Sequence, residues 1–331
     1  MTTFVTGGTS SIGRVLLKEL AGRGEDFRVL VRPSSDLTGI QDLPGITLVK
    51  GDVTDPQAVR AGMAGCERVC HLAAVVGYQL PKAEWWRINR DGTGHVLQTA
   101  LELGVQRMVQ VSSMSVLGST TPGQMADESH LPDSSTYTDL YAKTKRAADD
   151  LAREYAGRGL AVSIVYPGFG YGCSWASSHT SFQEQTLLRL AANKPVVIFG
   201  SGTNTLCLSY YRDTVAGIFA AFEKARAGEG YMLGGNNLNF IEIWAAIGAV
   251  LGKQPPRRRV SASLLRAVSS LSQLLTGKAI FPGDFLSMIT NNWCYSSAKA
   301  ERELGWQPHP FREAMAETWA EYQQQGWRAS A

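Results

Sequence analysis

The chain has 331 residues, about twice the length of an average domain, so it is long enough to bury a large hydrophobic core. Its 32 basic and 29 acidic residues give a formal net charge of +3 without a long basic run, which argues against nucleic acid or an anionic membrane as the main partner. With 44% hydrophobic and 18% charged residues, the composition excludes intrinsic disorder and is typical of a folded globular protein.

The five cysteines are odd in number and include no CxxC pair or Cys/His cluster with zinc spacing, so we expect reduced thiols, no metal site and a cytoplasmic protein. We expect no secretory leader and no membrane span, because no apolar run reaches the roughly 18–20 residues that cross a bilayer. The segment Leu264–Leu275 has the periodicity of an amphipathic helix. Such a helix is compatible with a membrane surface, but packing against its own domain is the favoured interpretation.

The first 172 residues alternate short apolar runs with helix-period segments, which is typical of βαβ units around a parallel sheet. The predicted strands are Thr3–Thr6, Phe27–Val31, Thr47–Lys50, Arg68–Leu72, Arg107–Ser112 and Ala161–Tyr166. The predicted helices between them are Ile12–Ala21, Pro56–Met63, Asn89–Leu103 and Thr138–Tyr155. This pattern predicts an α/β fold with a doubly wound parallel sheet, that is, a Rossmann fold.

After Gly172 the alternation breaks down into helix-like pieces separated by Gly/Pro-rich loops, which predicts a smaller, mostly helical substrate lobe. The predicted helices are Ser181–Asn193, Asp213–Ala227, Ile241–Leu251, Ser263–Leu275 and Ser297–Leu304, and the predicted strands are Val196–Phe199 and Gly230–Leu233. We therefore expect a dinucleotide-binding domain over residues 1–172, with a return segment near 205–233. Residues 173–204 and 234–331 are assigned to the substrate lobe.

A glycine-rich turn, Thr6–Gly13, follows the first predicted strand and opens the first helix. Glycines there let the backbone approach a pyrophosphate, whose charge the helix N-terminus favours. The predicted cofactor-binding residues of the turn are Gly7, Ser10, Ser11, Ile12 and Gly13.

The end of the second strand distinguishes NAD from NADP, because a carboxylate there accepts from the ribose 2′-hydroxyl and an arginine pairs with a 2′-phosphate. Arg32 occupies this position and Ser35 follows, with no acid before Asp36. We expect Arg32 and Ser35 to bind NADP(H). NAD(H) is the alternative, in which Arg32 is solvated and Asp36 faces the ribose.

Further candidates follow the third and fourth strands. Asp52 and Val53 are placed to contact the adenine, although Asp52 has a second interpretation as a helix cap, for which Asp55 is the better candidate. The small segment Leu72–Ala74 lets backbone contact the ribose and pyrophosphate. We interpret His71 as a hydrogen-bonded histidine at a strand end rather than a proton-transfer group.

Tyr141 and Lys145 lie four residues apart, on one face of a predicted helix. A phenol with a pKa near 10 is a poor acid or base at neutral pH, but a nearby ammonium favours the phenolate. Ser113, at the end of the fifth strand, is placed to donate to the same oxygen. These residues form a candidate centre for proton transfer to a carbonyl oxygen.

Jointly, the motifs TGxxxxxG, GDV, HLAA, NRDGT, VSSMSVLG, YAKTK, PGFGYG and YYRDTVAG resemble the extended short-chain dehydrogenase/reductases over nearly the whole chain. The chain is most similar to the group of dihydroflavonol reductases, 3β-hydroxysteroid dehydrogenases and hopanoid-associated sugar epimerases. The resemblance implies a triad of Ser113, Tyr141 and Lys145, with Pro167 beside the nicotinamide, and a homodimer through the helices 89–103 and 138–155. It also implies that Ser112 is not the catalytic serine. One departure is Ser10, where the family's TGxxGxxG has glycine.

Two enzyme functions fit these residues. The favoured one is an NADP(H)-dependent oxidoreductase that interconverts a ketone and a secondary alcohol, with an apolar or aromatic substrate near Phe169, Trp175, Tyr210 and Phe281. The alternative is a nucleotide-sugar epimerase or dehydratase with retained NAD, in which Arg212 or Arg257–Arg259 holds a diphosphate. A catalytically idle NADP-binding regulatory protein is a third possibility, which an intact triad argues against.

Overall fold

A computed structural model describes residues 1–76, 80–132, 137, 139–173, 181–276, 280 and 283–326. The strands are β1 Thr2–Thr6, β2 Asp26–Val31, β3 Ile46–Lys50, β4 Arg68–His71, β5 Arg107–Val111, β6 Val162–Pro167, β7 Phe169–Tyr171, β8 Ile198–Phe199, β9 Thr205–Tyr210, β10 Gly230–Leu233, β11 Asn236–Asn239 and β12 Arg259–Val260. The helices are α1 Ser11–Gly22, α2 Pro56–Met63, α3 Lys82–Trp85, α4 Gly92–Glu102, α5 Leu140–Gly157, α6 Phe182–Ala191, α7 Tyr211–Lys224, α8 Phe240–Leu251, α9 Ala262–Thr276, α10 Gly283–Thr290, α11 Ala298–Leu304 and α12 Phe311–Gln324.

The main sheet is a seven-stranded parallel sheet with the order β10-β6-β5-β4-β1-β2-β3. Strand β1 lies between β2 and β4, with Thr6 in register with Leu30 on one side and His71 on the other. The chain therefore winds outward from β1 in both directions, which is the doubly wound Rossmann arrangement. Ligands of such sheets bind at the carboxyl ends of the strands beside this reversal.

Helices cover both faces of the sheet, as the nearly continuous apolar strands require. Phe4 of β1 packs into a core with Val59 of α2 and Val96 of α4. The next residue, Val5, points to the opposite face and packs with helices α1 and α7. The predicted α/β fold is confirmed.

The later part of the chain forms two smaller sheets, β11-β9-β7 and β12-β8, together with helices α6, α8, α9, α10 and α12. Three elements of the later sequence return to the main sheet: β10 pairs with β6, α7 packs on β5 and β6, and α11 packs on α7 and β10. Ala300 and Leu304 of α11 thereby join the core that contains Val5. The division into two lobes with these boundaries stays a prediction.

The six strands predicted before Gly172 are present, and no end differs from its prediction by more than one residue. The helix expected over 89–103 differs, because a π-helical turn, Trp86–Asp91, joins α3 to α4. The predicted strand Val196–Phe199 is reduced to its last two residues, and α12 was not predicted. All five cysteines are free thiols. The described residues contain no cluster suited to a metal ion and no helix that could span a membrane.

Helix α9 is amphipathic but leaves its apolar face uncovered in the described structure. Leu265 is buried, whereas Leu264, Val268, Leu271 and Leu275 are 39% to 73% exposed. The expectation that this face packs against its own domain is therefore wrong for these four residues. The helix contacts the rest of the chain through an adjacent side, which contains Leu265.

The turn before α1 predicts a sharp contrast between two glycines of that helix. A methyl group on Gly13 would lie 2.4 Å from the carbonyl oxygen of Gly7, whereas one on Gly22 meets no atom within 4 Å. Because the clash is with backbone, Gly13→Ala should lower the free energy of unfolding by about 2–3 kcal/mol. Gly22→Ala should change it by less than about 1 kcal/mol. Urea unfolding of both variants tests this contrast, and equal stabilities would contradict the turn described here.

Candidate active site

A cleft of about 510 Å³ lies at the carboxyl ends of β1, β2, β3 and β4, where the direction of winding reverses. Nine of the predicted cofactor residues line it, and these are Gly7, Ser10, Arg32, Ser35, Asp52, Val53, Leu72, Ala73 and Ala74. Lining residues that the sequence analysis missed are Thr9, Arg14, Leu30, Ser34, Gly51, Val75, Val76, Leu80 and Ile88. The predicted residues Ser11, Ile12, Gly13, Tyr141, Lys145 and Pro167 are not among the lining residues.

The glycine-rich turn fits closely against the end of β4. Gly7 has φ = +72°, and a Cβ on it would lie 2.6 Å from the backbone nitrogen of Ala73, so no side chain is tolerated. Ser10 has an ordinary φ of −71°, and its hydroxyl caps α1 by accepting from the Gly13 N–H at 3.1 Å. The substitution of the family's glycine by Ser10 therefore costs no backbone strain, and the turn keeps its contact with Ala73.

The segment after β2 is fastened to the cleft by Arg14, which is buried at the start of α1. Its guanidinium donates to the carbonyl oxygens of Thr38, Asp36 (2.7 Å) and Thr9 (3.2 Å). It also pairs with the Asp36 carboxylate at 3.3 Å. Arg14 thus forms an ion pair with Asp36, the acid that the sequence analysis gave as the alternative ribose acceptor.

Arg32, by contrast, is exposed at the mouth of the cleft. Its guanidinium makes no hydrogen bond or ion pair with any residue that the structure describes, while its backbone N–H donates to the Ser35 hydroxyl at 3.1 Å. Ser34 also lines the cleft. A free guanidinium and two hydroxyls are the groups that bind a phosphate monoester.

Asp52 lines the cleft and does not cap α2. One of its oxygens accepts from the N–H and the hydroxyl of Thr54, both at 2.9 Å. Asp55 caps the helix, as expected, by accepting from the Gln57 N–H at 2.9 Å. The Asp52 carboxylate is therefore held at the wall of the cleft by its own turn.

Ser113, Tyr141 and Lys145 lie around the carboxyl end of β5. Lys145 is buried, and its ammonium donates to the carbonyl oxygen of Val111, the last residue of β5, at 2.8 Å. Ser113 follows two residues later, half-buried. Tyr141 lies one turn before Lys145 on α5, where its ring meets the edge of Trp85 at 6.4 Å between centroids. Burial lowers the pKa of Lys145, and the Asp149 carboxylate opposes this effect.

The neighbouring Ser112 has a different task. Its hydroxyl donates to the fully buried carboxylate of Asp149 at 2.8 Å, and the Gln110 amide donates to the other oxygen at 2.8 Å. Burial raises the pKa of Asp149 to about 6, against the effect of Lys145. Ser112 is therefore held by this carboxylate, whereas the Ser113 hydroxyl accepts from the N–H and the hydroxyl of Ser115 at 3.2 and 3.0 Å. Sequence reasoning missed Asp149.

A π-helical turn links the cleft to α5 through Asn89. The side chain of Asn89 accepts from the Val75 N–H at 2.6 Å and donates to the Thr144 hydroxyl at 3.0 Å. Val75 lines the cleft, and Thr144 precedes Lys145. The NRDGT motif contained this residue, but only the wider π turn brings its amide between the two elements.

His71 is buried and fully hydrogen-bonded, as expected. The Thr93 hydroxyl donates to the Asn89 carbonyl at 2.6 Å, so it accepts from Nε2 of His71 at 2.9 Å. The Thr6 hydroxyl accepts from the Ala73 N–H at 3.3 Å and donates to Nδ1 at 2.7 Å. Burial, assisted by the charge of Lys145, lowers the pKa of His71 to about 3. The ring is therefore neutral and holds three segments of the site together.

The predicted substrate residues have different fates. Phe169 is half-buried and meets Trp293 edge-to-face at 5.8 Å. Tyr210 is 2% exposed, stacks on Tyr171 and donates to Glu317 at 3.1 Å, so it packs inside the protein, and its assignment as a substrate contact stays a prediction. Trp175 and Phe281 lie outside the described residues. Pro167 ends β6, is buried, and pairs in register with Leu233.

Comparison with known proteins identifies the class of protein. Residues 3–234 match the family model "NAD dependent epimerase/dehydratase family". The chain belongs to this family, and it is an oxidoreductase of the extended short-chain type that acts on CH–OH groups.

Individual relatives point to reductases and dehydrogenases. The chain is 28% identical over 334 residues to a 3-beta-hydroxysteroid dehydrogenase of Mycolicibacterium neoaurum, covering 95% of this chain and 89% of the other. It is 32% identical over 233 residues to a farnesyl-dihydroquinoline-oxide ketoreductase of Stigmatella aurantiaca, covering 70% and 68%.

Solved structures agree with the fold. The crystal structure of gox2253 is similar with a TM-score of 0.82 at 28% identity, covering 98% of both chains. The dTDP-glucose 4,6-dehydratase DesIV of Streptomyces venezuelae, solved with NAD and TYD bound, is similar with a TM-score of 0.77 at 24% identity, covering 99% and 98%.

The neutral state of His71 predicts a pH dependence of stability. Its pKa is about 3 in the folded protein and near 6.5 when unfolded, so only the unfolded state takes up its proton as the pH falls below about 7. Its contribution to the free energy of unfolding should therefore fall by roughly 2 kcal/mol between about pH 7 and pH 5. Urea unfolding of the wild type and of His71→Gln at both pH values isolates this contribution. Parallel pH profiles of the two proteins would contradict it.

Proposed function

We propose that the protein is an NADP(H)-dependent reductase or dehydrogenase that interconverts a ketone and a secondary alcohol with Ser113, Tyr141 and Lys145. The observation that carries the proposal is the buried ammonium of Lys145, held at the end of β5 by the Val111 carbonyl. Tyr141 lies one helical turn before Lys145 on α5, and Ser113 follows Val111 by two residues, which supports the assignment of these three residues to one centre. The relatives named as a ketoreductase and a hydroxysteroid dehydrogenase support the same reaction type.

In this mechanism each residue has one task. Ser113 donates to the carbonyl oxygen of the substrate and orients it. Tyr141 transfers a proton to that oxygen during reduction and removes it during oxidation. The ammonium of Lys145 favours the phenolate form of a neighbouring phenol. It has three donors, of which one serves Val111, so two others are available for ligand hydroxyls.

The cleft fits a dinucleotide. The close approach of Gly7 to Ala73, the N-terminus of α1 beneath the turn, and the wall containing Asp52 suit a pyrophosphate and an adenosine. A nicotinamide, when bound, supplies or accepts the hydride of the reaction.

The proposed preference for NADP(H) rests on two arginines. Arg32 is free to pair with a 2′-phosphate, with the hydroxyls of Ser34 and Ser35 beside it. The carboxylate of Asp36, which would repel that phosphate, is already paired with Arg14.

A nucleotide-sugar epimerase or dehydratase with retained NAD is the second candidate. Asp36 still lines the cleft, and DesIV was solved with NAD. Against it, Arg212 pairs with Glu321 and is not available to clamp a diphosphate. The first experiment is therefore to identify any nucleotide released from the purified, denatured protein. NADPH-preferring protein without bound nucleotide supports the reductase, and tightly retained NAD overturns it.

We further propose a homodimer through the helices predicted at 89–103 and 138–155, and a cytoplasmic location. Both are implied by family resemblance and composition.

Replacement of Tyr141 by Phe should lower turnover by about 10²–10⁴-fold, because the proton donor is lost. NADPH affinity should stay within about threefold, since the ring is retained. Tyr155→Phe is the matched control: it lies on the same helix, and its hydroxyl bonds Gln98 at 2.8 Å. The assay follows NADPH oxidation with a panel of apolar and aromatic ketones. A Tyr141→Phe variant as active as Tyr155→Phe would refute the assignment.

Replacement of Arg32 by Ala should weaken NADPH binding by about 10–100-fold, because the loss of one hydrogen-bonded charge pair lowers affinity by about this factor. NADH binding should change little, because NADH lacks the phosphate. Titration of both nucleotides by fluorescence measures the ratio of their affinities, and Arg312→Ala is the control, because Arg312 is exposed on α12, outside the cleft. Equal losses for NADPH and NADH would mean that Arg32 does not read the 2′-phosphate.

A further inference from the structure

The exposed apolar side chains are concentrated on one helix. Leu264, Val268, Leu271, Leu274 and Leu275 of α9 are each at least 39% exposed, and Leu274 reaches 81%. Isolated exposed apolar residues are ordinary, whereas a contiguous group marks an interaction surface. We name these five residues the α9 leucine face.

The α9 leucine face is a continuous stripe. At about 100° per residue, Leu264, Val268, Leu271 and Leu275 fall within about 60° of arc, and Leu274 extends the stripe on one side. The residues that α9 buries, Leu265 and Ser269, lie on a different arc of the helix. Contact with the rest of the protein therefore does not cover the stripe.

The surrounding sequence has a strong positive bias that the total charge conceals. Between Glu242 and Asp284 there are six basic residues and no acid. Arg257, Arg258 and Arg259 immediately precede α9, and Arg266 lies on it, all exposed. Their guanidinium groups make no hydrogen bond or ion pair with any part of the chain that the structure describes.

We propose that the α9 leucine face and these arginines dock on the surface of a membrane that contains anionic phospholipid. Exposed leucines bury apolar area at the boundary between headgroups and acyl chains, and adjacent arginines attract the negative lipid charge. The helix lies in the interface and does not cross it, because its 15 residues are too few to span a bilayer.

Charge favours an anionic membrane over a second copy of the chain as the surface that covers the α9 leucine face. A twofold interface brings the same patch of each copy together. The unpaired arginines beside α9 would then face their own equivalents, and like charges in contact oppose association. An anionic lipid surface instead neutralises them. The proposal is independent of the proposed reaction, since it uses no residue of the cleft or of the triad.

The test is co-sedimentation of the full chain with vesicles of phosphatidylcholine alone and with vesicles that also contain phosphatidylglycerol at about one part in three. The wild type should bind the mixed vesicles, and added salt should weaken binding by screening the charges. The double variant Leu271→Gln/Leu275→Gln should lose at least about tenfold in partitioning. Met125→Gln is the matched control, because Met125 is 61% exposed outside α9 and Leu271 is 56% exposed. It should bind like the wild type.

A triple variant that removes three positive charges tests the electrostatic part of the proposal. Arg257→Gln/Arg258→Gln/Arg266→Gln should lower binding to mixed vesicles by at least about tenfold and leave binding to neutral vesicles unchanged. No binding of the wild type to mixed vesicles, or undiminished binding of the leucine variant, would overturn the proposal. A lipid-free dimer that the leucine variant dissociates, measured by analytical ultracentrifugation, would also overturn it in favour of a second copy. NADPH titration of each variant separates this outcome from a failure of the proposed function, because the cleft should be unaffected.

Discussion

The site depends on the burial of the Lys145 ammonium against the carboxyl end of β5. A cation removed from water is costly unless hydrogen bonds and an opposite charge compensate it. Here the Val111 carbonyl accepts one hydrogen bond from the ammonium, and the buried carboxylate of Asp149 lies one helical turn further along α5. Because both partners are fixed by the fold, helix α5 has little freedom to slide or rotate against the sheet. The contact that stabilises the helix therefore also fixes the turn of α5 that carries Tyr141.

Two further polar contacts extend this constraint to the cleft. Asn89 joins the Thr144 hydroxyl on α5 to the backbone of Val75 at the cleft wall. The neutral ring of His71 joins β1, through Thr6, to α4, through Thr93. The side chains of Asn89 and His71 are buried, so removing a partner leaves a buried polar group unsatisfied. The glycine-rich turn, the cleft wall and helix α5 are thus positioned relative to one another by one connected network.

Much of this arrangement is readable in the sequence because it rests on local rules. Apolar runs followed by Gly-rich turns predict the strands of the sheet, and residue spacing puts Tyr141 and Lys145 on one helical face. Contacts between distant segments are not readable in the same way. From the sequence alone, Arg14 resembles an exposed helix residue, and only the path of the chain after β2 brings the carbonyl oxygens of Asp36 and Thr38 against its guanidinium. Likewise, the resemblance favours Ser113 over Ser112, but it does not predict the hydrogen bond that Ser112 donates to Asp149, which lies 37 residues away.

At the end of β2, an acid is expected to bind the ribose of NAD and an arginine the 2′-phosphate of NADP. The ion pairs that these side chains form within the protein matter as much as their residue types. Both an arginine and an acid occur there, so the residues alone allow a phosphate or a free ribose hydroxyl. A carboxylate repels a phosphate only while its charge is uncompensated, and an ion pair with a buried guanidinium removes most of that repulsion. Arg14 supplies this compensation from α1 rather than from the end of β2. In the proposed function, the preference for NADP(H) therefore depends on three residues from two segments. Arg32 is proposed to bind the 2′-phosphate, and Arg14 pairs with the Asp36 carboxylate that would otherwise repel it.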